Sequence, residues 1–234
     1  MRDVQPVKPV GIDPLAAELL DEMVHQPAAR HVVLGGYFAL KHYCDYRATH
    51  DIDAWWDETA GAREQAAARQ VLSQALSTVA QRRGLTVAQR RFGDTESWEL
   101  CRDRQKVFSF QISVRTVRLA PYLPSPWPPV QIESLPDNVG SKMNALVQRG
   151  APRDFADVRQ LVESGLVNAA DCWDAWARKN PDLDPRDARM EVARHLQELE
   201  KRRPLASITD AEQRQRAAAV RAWFQKEFLR HEAT

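Results

Sequence analysis

The chain has 234 residues, of which 44% are hydrophobic and 28% charged, and its 33 Lys and Arg residues balance 32 Asp and Glu residues to a net charge of +1. This length and composition predict one large or two small folded domains and exclude disorder as the main state of the chain. The near-neutral charge excludes a uniformly basic protein of the kind that coats nucleic acid.

Helix and strand patterns alternate through the first half of the chain. Asp13 followed by Pro14 predicts the start of an amphipathic helix, because an N-cap carboxylate and a proline at the first helical position both favour initiation. An apolar run over residues 31–34 ends at Gly35 and Gly36, which predicts a strand, a turn and a helix. Further strand-like segments and one alanine-rich helix follow. The strands are predicted at residues 51–56, 85–92, 97–102 and 107–117, and the helix at residues 60–81.

Five prolines between residues 121 and 129 mark a change in the character of the chain. Proline breaks regular helices, so this segment predicts an extended crossing. Beyond it the start and stop signals predict helices only. These fall at residues 135–149, 153–164, 168–179, 185–202 and 210–231. The predicted fold class is therefore α+β, with a mixed sheet and flanking helices in residues 1–130 and a helical bundle in residues 131–234.

The sequence predicts no membrane segment and no disulfide or zinc framework. No window approaches the roughly 18 uninterrupted apolar residues that a spanning helix needs, and residues 1–5 lead into no apolar leader core. Cys44, Cys101 and Cys172 are far apart and show no CxxC or CxxH spacing. We therefore expect a cytoplasmic protein without a membrane partner.

A glycine pair and an Asp-x-Asp motif carry most of the functional information. Gly35 and Gly36 lie between a predicted strand and a predicted helix, where backbone N–H groups can approach a phosphate. Asp51 and Asp53 alternate on a predicted strand, so both carboxylates point to one face and can bind the same hard cation. This combination is what metal-assisted phosphoryl or nucleotidyl transfer requires. Taken alone, each short motif also fits an ordinary turn or a solvated strand.

The full pattern resembles the first motif of the polymerase-β-like nucleotidyltransferase superfamily, and within it the AbiEii type, which includes the MenT toxins. That motif is Gly-Gly-x-Ala-Leu, then Arg-x-Thr or Arg-x-Ser, then Asp-Ile-Asp. It stands here as Gly35, Gly36, Ala39, Leu40, Arg47, Thr49, Asp51, Ile52 and Asp53. A second family motif has a helical lysine, an Arg-Gly, and a basic residue followed by Asp-Phe or Asp-Leu, one residue and Asp. Its counterparts are Lys142, Arg149, Gly150, Arg153, Asp154, Phe155 and Asp157.

The resemblance implies a role for each matched residue. The catalytic group would be Asp51, Asp53, Lys142 and Asp157. Asp51 and Asp53 would bind Mg²⁺ or Mn²⁺, and Lys142 would contact the triphosphate of an NTP substrate. The nucleotide-binding group would be Gly35, Gly36, Arg47, Thr49, Ser141, Lys142, Arg153 and Asp154. Alternatively, one of Asp154 and Asp157 caps the helix that follows Pro152, since an aspartate in the first turn is stabilising there.

The chain departs from the superfamily pattern at a third carboxylate. Polymerase-β-like enzymes usually place it on a neighbouring strand, where it completes the metal site and helps to deprotonate the attacking hydroxyl. The expected strand, residues 107–117, contains no Asp or Glu. The sequence leaves four explanations open: Glu99 substitutes, Asp157 substitutes, the metal alone activates the hydroxyl, or the protein is a non-catalytic relative.

The resemblance implies a Mg²⁺-dependent nucleotidyltransferase that acts as the toxin of a toxin–antitoxin or phage-defence system. It would transfer NMP from an NTP to RNA, such as the tRNA 3′ end, with release of pyrophosphate, and a cognate antitoxin would inhibit it. One alternative is modification of a small molecule, because aminoglycoside nucleotidyltransferases also carry a glycine pair, an arginine and Asp-x-Asp. The other is a nucleotide-binding protein without activity.

The distribution of charge agrees with an RNA acceptor. Residues 81–118 carry nine Lys and Arg against four Asp and Glu, a local charge of +5 that the chain total conceals. Several aromatic residues of this half are able to stack on bases, but in a strand-rich domain they more often form core. These residues are Tyr37, Trp55, Trp56, Phe92 and Trp98.

Overall fold

The computed structural model describes residues 1–115 and 117–230 of the chain. They form two compact units, one of Val4–Asn138 and one that joins Met1–Asp3 to the chain from Val139 onward. The division follows Asn138, whereas the prolines indicate a domain boundary at about residue 130. Two positions of the predicted elements, Thr116 in a strand and His231 in the last helix, lie outside the described residues.

The unit Val4–Asn138 is built on a seven-stranded mixed sheet. Its strands are β1 Val32–Gly35, β2 Asp51–Trp56, β3 Thr86–Phe92, β4 Thr95–Arg102, β5 Gln105–Ser113, β6 Leu123–Pro124 and β7 Gln131–Ile132. Their order across the sheet is β3-β4-β5-β2-β1-β7-β6. β2 pairs antiparallel with β1 and parallel with β5, while β7 pairs parallel with β1. Ladder hydrogen bonds on both sides therefore hold β1 and β2 in place.

Helices cover one face of this sheet. They are α1 Pro14–Met23, α2 Gly36–Leu40 and α3 Ala62–Arg83, with a 3-10 turn at Pro27–His31. Asp13 caps α1 as predicted, since its Oδ1 accepts a hydrogen bond from the N–H of Leu15 at 2.8 Å. Leu72 and Leu76 of α3 belong to one buried cluster with Phe108 and Phe110 of β5. The alternate residues of the strands consequently point to the opposite face, which carries the polar side chains.

The second unit is helical. Its helices are α4 Leu135–Gln148, which begins before the division, α5 Pro152–Glu163, α6 Ala169–Lys179, α7 Pro185–Arg202 and α8 Ala211–Trp223, followed by a π-helical turn at Phe224–Phe228. Aromatic contacts join these elements: the ring centroids of Phe155 and Phe224 are 4.8 Å apart, and those of Trp173 and Phe228 are 5.4 Å apart. Aromatic packing of this kind is a main apolar contribution to a helical core.

The mixed α+β class predicted from the sequence is confirmed, and most elements begin and end within about two residues of their predicted bounds. Five local differences stand out. His31 lies in the 3-10 turn before β1, β5 ends at Ser113 instead of residue 117, and the proline-rich segment contains β6. The strand β7 follows the prolines, where only helices are predicted, and the last helix changes to π geometry after Trp223. Trp56 and Trp98 are buried as core, whereas Phe92 is 64% exposed. None of the helices within the described residues has the length and apolar character that crossing a membrane requires.

Candidate active site

The predicted site residues fall into two groups, one in each compact unit. Gly35, Gly36, Arg47, Thr49, Asp51 and Asp53 belong to the unit Val4–Asn138, and Ser141, Lys142, Arg153, Asp154 and Asp157 belong to the other. The geometry of each group is therefore described within its own unit.

Asp51 and Asp53 lie on the polar face of β2, where both are half-buried, while Ile52 and Ala54 between and beside them are buried on the opposite face. The strand alternation thus places the two carboxylates on one side, as the sequence predicts. Asp51 Oδ1 accepts a hydrogen bond from Ser109 Oγ at 2.5 Å. The Asp51 side chain remains 44% exposed, and its Oδ1 also lies 3.8 Å from Lys106 Nζ.

The glycine pair allows Asp53 and Trp55 to lie against the backbone at the end of β1. Gly35 pairs with Asp53 in the antiparallel ladder. Gly36 has a left-handed φ of +58°, and a Cβ added there would lie 2.2 Å from Asp53 Oδ2. A Cβ on Gly35 would lie 2.2 Å from Trp55 Nε1. Glycine is therefore required at both positions because the Trp55 and Asp53 side chains lie too close for a Cβ atom. At Gly36 the left-handed backbone conformation also favours glycine.

The strand beside β2 carries polar but uncharged side chains at the positions facing the aspartates. Ser109 pairs with Asp51, and Gln111 pairs with Asp53. β5 contains no Asp or Glu. Glu99 lies on the same face because it pairs with Ser109, but two strand spacings, about 10 Å, separate it from Asp51. Across residues 1–115 and 117–230, no three His, Cys, Asp or Glu side chains lie close enough together to hold a metal ion.

Arg47 and Thr49 lie in the loop that leads into β2. The guanidinium carbon of Arg47 is 3.4 Å from the centroid of the Tyr37 ring, and the Tyr37 hydroxyl accepts a hydrogen bond from Arg47 N at 2.8 Å. The hydroxyl of Thr49 lies 3.3 Å from the backbone nitrogen of Asp51. These contacts fix the loop between the glycine turn and the aspartate strand.

A buried ionic network in the same unit was not predicted from the sequence. Glu133, fully buried after β7, forms an ion pair with Arg115 and accepts hydrogen bonds from Trp55 Nε1 at 3.0 Å and from the Asn138 amide. Arg115 also pairs with Asp137 at 3.0 Å. Burial of ionised groups is tolerated only where partners of this kind are present.

This network supports the glycine turn directly. Asn138 Nδ2 donates a hydrogen bond to the carbonyl of Gly36 at 2.8 Å, and Trp55 packs over Gly35. Arg115, one of the nine cations of residues 81–118, is therefore buried and paired instead of facing solvent. The sequence around Glu133 does not reveal the network, because Arg115 and Trp55, two of its partners, lie 18 and 78 residues away.

Burial also changes the titration of two side chains beside this turn. Desolvation lowers the pKa of His42 to about 4, opposed by a hydrogen bond to the carbonyl of Phe38 and reinforced by the charge of Lys41. Desolvation, together with the charges of Glu133 and Asp137, raises the pKa of the Tyr43 phenol above its usual range. At neutral pH His42 is therefore uncharged, and Tyr43 is a proton donor that bonds the carbonyl of Glu133 at 2.8 Å.

In the second unit the structure brings Lys142 and Asp157 together. Lys142 Nζ donates to Asp157 Oδ2 at 2.7 Å, and both side chains are buried. The two residues lie on α4 and α5, so this pair joins consecutive helices. A buried lysine paired with a carboxylate is an oriented cation, which suits a phosphate contact as well as helix packing.

Asp154 has a structural role in the same helix pair. Its Oδ2 accepts from the N–H of Ala151 at 3.0 Å, which caps the start of α5, and both oxygens bind the guanidinium of Arg149. The alternative that one of the two aspartates caps this helix is therefore confirmed for Asp154. Arg153 is exposed and Ser141 is half-buried on α4.

The aspartate pair on β2 and the buried Lys142–Asp157 pair are thus each formed within one compact unit. Residues 18–233 match the protein-family model described as "Nucleotidyl transferase AbiEii toxin, Type IV TA system". The match includes every predicted site residue in both compact units. No match to the chain was found among curated proteins.

Proposed function

Because the chain belongs to the AbiEii family of nucleotidyl transferase toxins of type IV toxin–antitoxin systems, we propose that it transfers NMP from an NTP to an RNA acceptor and releases pyrophosphate. Membership of this family implies a nucleotide substrate and an antitoxin partner. The acceptor that we propose is the 3′ end of a tRNA, where a terminal hydroxyl is exposed for attack on the α-phosphate.

One observation carries the proposal: Asp51 and Asp53 share a face of β2, and the left-handed Gly36 makes room for the Asp53 carboxylate. With Ser109 Oγ and the Gln111 amide beside them, these groups form an all-oxygen donor set, which suits a hard divalent cation. Mg²⁺ commonly uses one or two protein carboxylates and fills its remaining positions with water and substrate phosphates. The residues therefore fit Mg²⁺ or Mn²⁺.

A cation bound there would neutralise the charge that develops on the phosphates during transfer. The chain's own part is positioning. We assign Asp51 and Asp53 to hold the cation, and Lys142, oriented by Asp157, to contact the triphosphate. Arg47, Thr49, Ser141 and Arg153 remain proposed nucleotide contacts. Asp154 caps α5 and would thereby help to position the helix that carries Asp157, the partner of Lys142.

The missing third carboxylate distinguishes this site from the usual superfamily arrangement. Ser109 and Gln111 occupy the β5 positions beside the aspartate pair, and Glu99 is one strand further away. The attacking hydroxyl therefore meets no carboxylate on β5 that would accept its proton. This observation favours a second candidate, a nucleotide-binding relative that does not catalyse transfer, which the experiment below separates from the first.

The test is incubation of the purified protein with each α-labelled NTP, Mg²⁺ and either total tRNA or an aminoglycoside. The matched variant is Asp51→Asn/Asp53→Asn, which keeps the size of both side chains and removes their charges. We expect label on tRNA from the native protein and none from the double aspartate variant.

The other outcomes each contradict part of the proposal. Label on the aminoglycoside but not on tRNA would assign a small-molecule acceptor. Nucleotide binding without transfer to either acceptor would assign the non-catalytic function. Label on tRNA that persists in the double aspartate variant would remove Asp51 and Asp53 from the active site.

A further inference from the structure

The structure sorts the nine cations of residues 81–118 into those already paired and those open to a ligand. Arg82 and Arg83 pair with Glu22 and Glu18, Arg118 pairs with Glu58 at 2.9 Å, and Arg115 is buried between Glu133 and Asp137. Arg90 lies 3.7 Å from Glu99. The remaining four are exposed: among the described residues Arg91, Arg102 and Arg104 form no ion pair, and Lys106 Nζ lies 3.8 Å from Asp51 Oδ1. Three of these four belong to the hairpin that joins β4 to β5, which we call the basic hairpin (Arg102–Lys106).

The turn of the basic hairpin has a residue that its geometry disfavours. Asp103 and Arg104 both have left-handed φ values, 49° and 66°, as a two-residue type I′ turn requires. Glycine is the preferred residue at the second of these positions, and arginine there is strained. Among the described residues Arg104 forms no ion pair that would offset the strain. The turn therefore presents the Arg104 side chain to solvent in spite of an unfavourable backbone conformation.

A β-bulge directs the hairpin's lysine toward the aspartate face. Pairing changes from Leu100 with Phe108 to Cys101 with Lys106, so Val107 has no partner of its own. Regular alternation from the buried Phe108 would place residue 106 on the core face. Because of the extra residue, Lys106 Nζ instead lies 3.8 Å from Asp51 Oδ1. Bulges that redirect a side chain are common beside active sites.

From these three observations we propose that the basic hairpin is the acceptor-binding arm: Arg102 and Arg104 contact backbone phosphates of a single-stranded RNA, and Lys106 contacts the phosphate nearest to the aspartate pair. The hairpin lies at the Asp51 end of the sheet, because β5 runs parallel to β2 and Gln105 precedes the residue paired with Asp51. An RNA strand carries phosphates that complement these three cations. This inference rests on the proposed function and names the surface that holds its acceptor.

The test compares initial rates of transfer to tRNA for the full-length protein and two sets of variants. The first set is Arg104→Gly and Arg102→Gln/Arg104→Gly, in which glycine suits the turn. The matched control, Arg30→Gln/Arg63→Gln, removes two exposed cations elsewhere in the same unit. We expect the double hairpin variant to raise the KM for tRNA about tenfold, with kcat and the KM for NTP unchanged. The plot of log(kcat/KM) against log[salt] should become less steep by about 1.4, or about 0.7 for each lost phosphate contact.

A purely structural hairpin predicts a different result, since Arg104→Gly should then leave the KM for tRNA unchanged while raising the thermal unfolding midpoint. That result would overturn the inference. Hairpin variants that transfer normally but no longer bind the antitoxin would overturn it in favour of a protein-binding surface. Native protein that transfers no label to any acceptor contradicts the proposed function itself, so the two failures are distinguishable.

Discussion

Gly36 shows how a single backbone conformation fixes the position of a carboxylate. A side chain at this residue meets two obstacles, the left-handed φ of +58° and Asp53 Oδ2 at 2.2 Å from the new Cβ. We predict that Gly36→Ala lowers the free energy of unfolding by more than about 2 kcal/mol, of which the left-handed conformation accounts for about 1 kcal/mol. Displacement of Asp53 by about 1 Å should reduce the transfer rate on the order of 100-fold.

The control for this prediction is Gly84→Ala. Gly84 has a similar φ of +64°, but nothing lies within 4 Å of an added Cβ. Denaturant unfolding and transfer assays of both variants separate backbone strain from the contact with Asp53. Equal effects of the two substitutions on stability and activity would show that the Asp53 contact is unimportant.

His42 provides a prediction about pH. Its pKa is about 4 in the folded protein and about 6.5 in the unfolded chain. Between these pH values the unfolded state binds more protons than the folded state. The contribution of neutral His42 to the free energy of unfolding is therefore complete above pH 6.5 and is lost as the pH falls through 4. The loss amounts to about 3 kcal/mol. We expect His42→Phe to remove this part of the pH dependence, measured as the difference between the two curves of unfolding free energy against pH. Parallel curves from pH 7 to 4 would contradict the assignment.

The buried network anchors the segment after β7 to the centre of the sheet. Arg115 forms ion pairs with both Glu133 and Asp137, so Arg115→Met removes the cation from two buried carboxylates. We predict that this substitution lowers the free energy of unfolding by about 3–5 kcal/mol. Arg118→Met is the matched control, because the Arg118–Glu58 pair is about one-third exposed and should contribute less than about 1 kcal/mol. Urea unfolding that gives similar values for both would argue against an essential network.

The ion pair between Lys142 on α4 and Asp157 on α5 can be tested with a double-mutant cycle. Lys142→Met and Asp157→Leu each remove one member of a buried ion pair and should destabilise the protein by about 3–5 kcal/mol. The double variant replaces both charges with apolar groups and should recover most of that stability. If Lys142 contacts the triphosphate, the stable double variant remains inactive. Restored transfer in the double variant would assign the pair to helix packing alone.

For the molecule as a whole, the features predicted from the sequence are those encoded by local patterns. The cap at Asp13, the alternation of Asp51 and Asp53 on β2 and the run of helices after the prolines each depend on neighbouring residues. The family resemblance, which spans two separated motifs, is confirmed by the match over residues 18–233.

The features that the sequence did not reveal depend on contacts between distant residues. The strand order, the short strands β6 and β7 and the burial of Arg115 by Glu133 are set by tertiary packing. The bulge at Val107 is a mismatch between two strands, so neither strand alone records it. The net charge of +5 over residues 81–118 likewise does not distinguish the paired cations from those of the exposed basic hairpin.

The most direct measurement follows the two ends of the nucleotide separately. The protein is incubated with Mg²⁺ and tRNA, and with one NTP labelled either at the α-phosphate or at the γ-phosphate. We predict that the α-label becomes attached to tRNA while the γ-label is released as pyrophosphate, and that Asp53→Asn prevents both. Attachment of the γ-label to tRNA would show phosphoryl instead of nucleotidyl transfer, and unaltered transfer by Asp53→Asn would exclude the aspartate face as the active site.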